Sequence, residues 1–85
     1  MGGPAQARYQ ELVRMMQAFI SGENRTRAFV GQLEGEFVAC ELNDDDRFEG
    51  LQFALAMFGA ADREHDERLL AKECKRALSI VGGEP

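Results

Sequence analysis

The 85-residue chain has no tryptophan, one tyrosine and one histidine, and only two cysteines and two prolines. Two cysteines are too few for a disulfide scaffold and fit a reducing compartment, where a free thiol packs as a small hydrophobe. The sequence contains no run of about 18 apolar residues, so we expect no membrane span. The start, Met-Gly-Gly-Pro, lacks the basic and apolar regions of a secretion signal, and we expect a cytoplasmic protein.

Acidic side chains outnumber basic ones by fifteen to ten, which gives a net charge of −5. Such a chain has no general attraction to nucleic acid or anionic lipid, so we expect neither as a direct partner. With 45% hydrophobic residues the chain is too apolar to be disordered, and its length suits one domain with one core. The same length disfavours an enzyme with a deep cleft.

Apolar residues recur three and four positions apart in four stretches of the chain. This period predicts amphipathic helices over about residues 4–21, 24–41, 44–59 and 62–81. Because the connections are short, neighbouring helices should be antiparallel, so the predicted fold is all-α, an antiparallel four-helix bundle in a single domain over residues 1–85. The predicted core consists of Leu12, Met16, Phe19, Phe29, Leu33, Phe37, Phe48, Leu51, Leu55, Phe58, Leu70, Cys74 and Leu78.

Residues with capping chemistry stand at the predicted helix ends. Gly22 is suited to close the first helix in the left-handed conformation. Either Asn24 or Thr26 caps the second helix, and either Asp62 or Asp66 caps the fourth. Residues 82–85, Gly-Gly-Glu-Pro, predict a stop and a loose tail.

Two pairs of residues on the middle helices have several possible roles. Gly31 and Gly35 lie on one face of the second helix, where they either admit a close helix neighbour or only weaken the helix by roughly 1 kcal/mol each. Phe53 and Met57 lie on a flank of the third helix and are expected to widen its apolar face.

Charge is strongly segregated along the chain. Residues 34–67 hold eleven acids and two bases, a net charge of −9, whereas residues 1–33 and 68–85 each carry +2. Acids at helix starts are explained by capping and by the helix dipole. The alternative is an acidic strip along one side of the bundle that attracts a basic partner. The candidate partner-binding residues are Glu41, Asp44, Asp45, Asp46, Glu49, Asp62, Glu64, Asp66 and Glu67.

None of the usual catalytic or metal-binding patterns is present, and we expect no catalysis, metal or cofactor. His65 has no ligand partner at the spacing of a helical metal site and should be a solvated residue at a helix start. Cys40 and Cys74 are expected to pack in the core, where thiols are inert. A calcium loop starting at Asp44 would have Phe48 at its fifth, oxygen-donating position, so that motif fails.

Two other small acidic helical families can be set aside. Acyl carrier proteins need an Asp-Ser-Leu turn, and neither Ser21 nor Ser79 has those neighbours. Colicin and pyocin DNase inhibitors carry a Tyr-Tyr-Pro turn, whereas Tyr9 is the only tyrosine here and neither proline has a tyrosine neighbour.

The sequence resembles colicin D-type immunity proteins over nearly its whole length. The resemblance is carried first by Leu12-Val13-x-x-Met16-x-x-Phe19-Ile20-Ser21-Gly22-Glu23, followed by Phe29. It continues with Phe48-x-x-Leu51-x-Phe53-x-x-x-x-Phe58-x-x-x-Asp62 and with Leu69, Leu70 and Leu78. One departure from that pattern is the pair Gly31 and Gly35 in the second helix.

The resemblance implies a four-helix bundle that binds the basic nuclease domain of a bacterial toxin. In that family, acidic side chains occupy the cleft that would hold tRNA phosphates. The expected function is therefore bacteriocin immunity, and the expected protein is a monomer or weak homodimer. The alternative is a non-catalytic helical interaction module. In its homodimeric form, the two copies meet through Gly31, Gly35, Phe53 and Met57.

Overall fold

The computed structural model describes residues 3–60 and 62–81, with side chains from residue 9 onward in the first helix. Over these residues the chain forms four α-helices and one short 3-10 turn, and no strand. The elements are α1 Gly3–Ser21, α2 Arg27–Ala39, the 3-10 turn Asp46–Phe48, α3 Glu49–Met57 and α4 Arg63–Val81. The predicted all-α fold is confirmed. The predicted tail, residues 82–85, lies outside the described residues.

The four helices form a ring. Each helix packs on the next along the chain, and α4 closes the ring on α1. Arg63 at the start of α4 donates from Nη2 to the carbonyl oxygen of Arg25 in the α1–α2 connection, at 3.1 Å. The α1–α2 and α3–α4 connections therefore lie at one end of the molecule, which confirms the antiparallel four-helix bundle.

The core lies along the axis of the ring and contains nearly all of the predicted residues. Twelve of the thirteen predicted core side chains are buried, and Leu78 is half-buried against them. Two aromatic pairs meet edge to face, Phe19 with Phe58 at a centroid distance of 6.0 Å and Phe37 with Phe48 at 6.3 Å. Cys40 is buried as predicted, and the other buried apolar residues are Met15, Ala18, Val30, Leu42, Ala54 and Ala77.

The α1–α2 connection is built by two local signals in the sequence. Gly22 adopts φ +85°, and the N–H groups of Gly22 and Glu23 donate to the carbonyls of Phe19 and Ala18 at 3.1 and 3.0 Å. This double closure of a helix end favours glycine at the left-handed position. Thr26, one of the two predicted caps, then starts α2, because its hydroxyl accepts from the N–H of Phe29 at 3.1 Å.

The third helix is shorter than predicted, since residues 44–48 are not α-helical. Asp45 accepts from the N–H of Arg47 at 3.0 Å and so caps the 3-10 turn Asp46–Phe48. A side-chain acceptor of this kind competes with helical backbone bonds. The α-helix therefore begins only at Glu49, and α3 spans nine residues, Glu49–Met57.

Solvent exposure tests the expectations for the pair Gly31 and Gly35 and for the pair Phe53 and Met57. Gly31 and Gly35 are exposed, and a Cβ atom added at either position would meet nothing within 4 Å. Close packing of a helix neighbour at these glycines is therefore wrong within this chain. Phe53 and Met57 are 59% and 41% exposed, so the flank by which they widen the apolar face of α3 lies in solvent.

Both cysteines are free and buried. The Cys74 side chain has no solvent exposure, and its burial raises the pKa of the thiol to about 12. Since the thiolate is the nucleophile, Cys74 should be unreactive in the native protein.

We expect Cys74 and Cys40 to react with an aromatic disulfide reagent at pH 8 only when the chain opens. The labelling rate in buffer should be at least about a thousandfold below the rate in denaturing urea, because the opened fraction is about 10⁻³ or less. Absorbance of the released thiolate follows the reaction. Labelling of either cysteine in buffer at the unfolded rate would contradict the assigned burial.

Candidate functional site

The densest acidic segment is the connection between α2 and α3. Residues 41–49 contain five acids and a single base, Arg47. We call Glu41, Asp44, Asp45, Asp46 and Glu49 the α2–α3 cluster. The segment is held in place by Leu42 and Phe48, which are both buried. Its acidic side chains are therefore displayed on a fixed scaffold at one end of the bundle.

One member of the cluster already has a basic partner. The Asp45 carboxylate accepts from Nε and Nη2 of Arg47 at 3.1 and 2.8 Å. These hydrogen bonds lower the pKa of Asp45 and raise that of Arg47. The Arg47 guanidinium also lies 5.4 Å from the centre of the Phe48 ring. The only base of the segment is therefore bound within the protein itself.

Three other members of the cluster have no such partner. Asp44, Asp46 and Glu49 are exposed and form no ion pair or side-chain hydrogen bond with the residues that the structure describes. Their negative charge is not compensated locally. They can therefore bind an external base without first breaking an internal contact.

Glu41 occupies a backbone conformation that favours glycine. It has φ +61°, and the N–H groups of Glu41 and Leu42 donate to the carbonyls of Val38 and Phe37 at 2.8 and 3.4 Å. The end of α2 is thus closed in the same way as the end of α1, with a glutamate where α1 has Gly22. A left-handed residue with a side chain costs roughly 1–2 kcal/mol. The acid at this position lowers the stability of the chain.

We expect Glu41→Gly to raise the free energy of unfolding by about 1 kcal/mol, because it removes the left-handed strain while keeping both closing hydrogen bonds. Gly22→Ala makes the reverse change at the corresponding position of α1 and should lower the free energy of unfolding by a similar amount. Urea titration measures both changes. A loss of stability in Glu41→Gly would show that contacts of the glutamate outweigh its backbone strain.

The acids at the start of α4 have structural roles. Asp62 accepts from the N–H of Glu64 at 2.9 Å and from that of His65 at 3.4 Å, which makes it the cap of α4. Asp66 is buried at 7% exposure and accepts from the N–H of Gly59 at 2.9 Å. Of the two predicted caps, Asp62 is the correct one. Asp66 does not belong to an exposed acidic strip, because it fastens the α3–α4 connection.

Glu67 lies between an arginine of its own helix and one of the α1–α2 connection. Its carboxylate is 2.8 Å from Nε of Arg63 and 3.6 Å from Nη1 of Arg25. The hydrogen bond from Arg63 and, to a smaller extent, the proximity of Arg25 lower its pKa. Arg27 approaches the same end, since a Cβ added at Gly59 would lie 3.1 Å from its Nη2 atom. Arg63 and Arg25 therefore offset the charge of Glu67.

Arg25 connects α1 to α4 at this end of the bundle. The sequence did not indicate this role. Its Nε and Nη2 atoms donate to the carbonyls of Phe19 and Ile20 at 2.7 and 2.8 Å. Its guanidinium lies 5.0 Å from the centre of the Phe19 ring. The only available signal was a pair of arginines beside the cap of α2. Nothing in the sequence indicated that Glu67, forty-two positions later, would be the partner of Arg25.

We expect Asp66→Ala to lower the free energy of unfolding by about 1–3 kcal/mol, because it leaves the N–H of Gly59 without its acceptor. Asp66→Asn keeps an acceptor oxygen and should lose less. The loss of stability that remains in the Asp66→Asn variant, roughly 0.3–1 kcal/mol, reflects the missing negative charge at a helix start. Urea titration compares the two variants. Equal losses of stability in the two variants would mean that Asp66 stabilises the fold through its charge and not through the hydrogen bond to Gly59.

The outer face of α4 is basic. His65, Arg68 and Lys72 line a shallow depression together with Leu69. Among the described residues, no group of three or more His, Cys, Asp or Glu side chains is placed to hold a metal ion. The expectation that the protein binds no metal stays a prediction. Within residues 3–60 and 62–81, no helix has both the length and the apolar character needed to cross a membrane.

Comparisons with protein families, with curated proteins and with solved structures found no match to this chain. The resemblance to colicin D-type immunity proteins therefore rests on the sequence features described above.

Proposed function

We propose that this chain is a non-catalytic binding protein whose α2–α3 cluster docks on a basic protein domain. The observation that carries the proposal is the contrast between the two acidic ends of the bundle. At the start of α4, Glu67 is paired with Arg63 and Arg25. Asp62 caps the helix, and Asp66 accepts a hydrogen bond from Gly59. In the α2–α3 cluster, Asp44, Asp46 and Glu49 form no ion pair with the described residues, and Arg47 is already bound to Asp45.

The chemistry of such a surface favours a partner that itself binds nucleic acid. Carboxylates and phosphates both present acceptor oxygens to the guanidinium and ammonium groups of arginine and lysine. Uncompensated carboxylates on a rigid scaffold can therefore occupy a cleft that evolved for phosphates. Their field also accelerates association with a basic partner at low ionic strength.

The biological role proposed for this binding is bacteriocin immunity. The protein would occupy the basic cleft of a toxin's nuclease domain and so prevent access of the nucleic acid. The sequence resemblance to colicin D-type immunity proteins supports this role, as does a four-helix bundle of matching length. Of the nine predicted binding residues, Asp44, Asp46, Glu49 and Glu64 are exposed, and their side chains take part in no cap or ion pair among the described residues. Glu41 is exposed as well and stays in the proposed surface.

The direct test uses the product of the reading frame next to the gene for this chain, if that product ends in a lysine-rich domain. Calorimetry of the purified C-terminal domain against this chain should show a 1:1 complex. The domain's nuclease activity should disappear when the complex forms. Absence of binding, or binding that leaves the nuclease fully active, would contradict the immunity role.

A second candidate function is homodimerisation as a helical interaction module. It is favoured by three exposed large hydrophobic residues, Val38, Phe53 and Met57, on α2 and α3. Gly31 and Gly35 also lie exposed on α2 and would permit close approach of a second copy. Light scattering over a range of concentrations separates the candidates, since a monomer at every concentration removes the homodimer.

A further inference from the structure

The outward face of α3 carries apolar side chains in line with an acid. Glu49, Phe53 and Met57 are each four positions apart, so they follow one another along a single face of the helix. All three are exposed, with Phe53 at 59% and Met57 at 41%. They extend over about 12 Å, at 1.5 Å per residue. Asp46, also exposed, immediately precedes this helix in the 3-10 turn.

This arrangement differs from the scattered exposed apolar residues of an ordinary surface. Single exposed hydrophobic residues are common, but adjacent aromatic and methionine side chains are typical of the centres of protein interfaces. Interface centres are apolar and their margins are polar or charged. On α3 the apolar pair is continuous at the start of the helix with the uncompensated acids of the α2–α3 cluster, so the charge at that margin is negative.

We propose that Phe53 and Met57 form the apolar centre of the docking surface, and that its occupant is a basic amphipathic segment of the partner. This inference rests on the proposed function and specifies the chemistry of the partner. The lysine or arginine side chains of that segment meet Asp44, Asp46 and Glu49. Its apolar side chains cover Phe53 and Met57. A purely polar basic surface would leave these two residues in water and lose their contribution to affinity.

The test compares two peptides that carry the same number of lysines. One is an oligolysine, and the other is a helical peptide with leucines on one face and lysines on the other. Calorimetry should show that the amphipathic peptide binds the wild-type chain about tenfold or more tightly, since burying a Phe side chain is worth about that factor. In the double variant Phe53→Ser/Met57→Ser, the two peptides should bind equally.

Val38→Ser is the matched control, because Val38 is 49% exposed but lies on α2. It should keep the full preference for the amphipathic peptide. Circular dichroism should show unchanged helix content in every variant, since the substituted side chains are exposed. A wild-type chain without the preference, or a preference that survives the α3 double variant, would overturn the inference.

Two further measurements separate this inference from the function on which it rests. If the double variant converts a wild-type dimer into a monomer by light scattering, a second copy covers the face and the inference is wrong. If the toxin domain binds the double variant as tightly as wild type, the proposed function stands and the inference fails. If the toxin domain does not bind the wild-type chain, the proposed function fails whatever the peptides show.

Discussion

Replacing Phe19 by alanine is expected to lower the free energy of unfolding by about 3–5 kcal/mol. The Phe19 side chain has no solvent exposure and lies edge to face with Phe58 at 6.0 Å. The Arg25 guanidinium is 5.0 Å from its ring centre, at the end of α1 that Arg25 also closes. The substitution removes all of these contacts and leaves a cavity in a core that can relax only in part.

The chain offers a matched control with the same chemical change. Phe53 is 59% exposed, so Phe53→Ala should alter the free energy of unfolding by no more than about 0.5 kcal/mol. Urea titration of both variants measures the difference. A loss below about 1 kcal/mol in Phe19→Ala, or equal losses in the two variants, would show that the side chains of α1 or α3 are placed wrongly.

Hydrophobic periodicity was sufficient to predict the architecture and most of the core. Stripes with a spacing of three and four residues locate helices directly, because burial of one face is what stabilises them. The same argument placed Phe53 and Met57 on a flank of α3 but could not say that they are exposed. Periodicity assigns a side chain to a face but does not say how wide the buried face is. Here α3 packs on α2 and α4, and neither helix covers Phe53 or Met57.

Charge counting located the acidic region but could not separate binding acids from structural ones. Asp66 and Glu67 looked equivalent to Asp44 and Asp46 in the sequence. Their roles depend on groups that only the fold brings near, the N–H of Gly59 and the guanidinium of Arg25. Local capping was more predictable, since Gly22 and Thr26 act on neighbours within three residues. Contacts between distant segments cannot be read from a single sequence without knowing the packing.

The backbone strain at Glu41 allows a separate test of the proposed function. Surface substitutions usually leave stability unchanged, whereas strained backbone conformations cluster at functional sites. If Glu41 contributes to docking, Glu41→Gly should stabilise the free protein and weaken its complex with the toxin domain. A substitution that raises stability and lowers affinity is expected at a residue that is strained in order to serve binding.

The largest functional effect is expected from neutralising the uncompensated acids of the α2–α3 cluster. The triple variant Asp44→Asn, Asp46→Asn, Glu49→Gln should weaken binding to the toxin domain by about 2–5 kcal/mol, because carboxylates buried against arginine or lysine contribute strongly to affinity. Asp45 is left unchanged, since it caps the 3-10 turn and pairs with Arg47. The triple variant should therefore keep the wild-type helix content and urea midpoint.

The matched control neutralises three exposed bases on α4, Lys72→Gln, Lys75→Gln and Arg76→Gln. It should change affinity much less, because a basic partner gains nothing from these cations. Calorimetry gives both affinities. Stopped-flow measurements at low and high salt should show that the acidic triple slows association most at low salt, where the field of the exposed carboxylates is least screened. Equal losses of affinity in the two triple variants would mean that docking does not depend on the acidic surface.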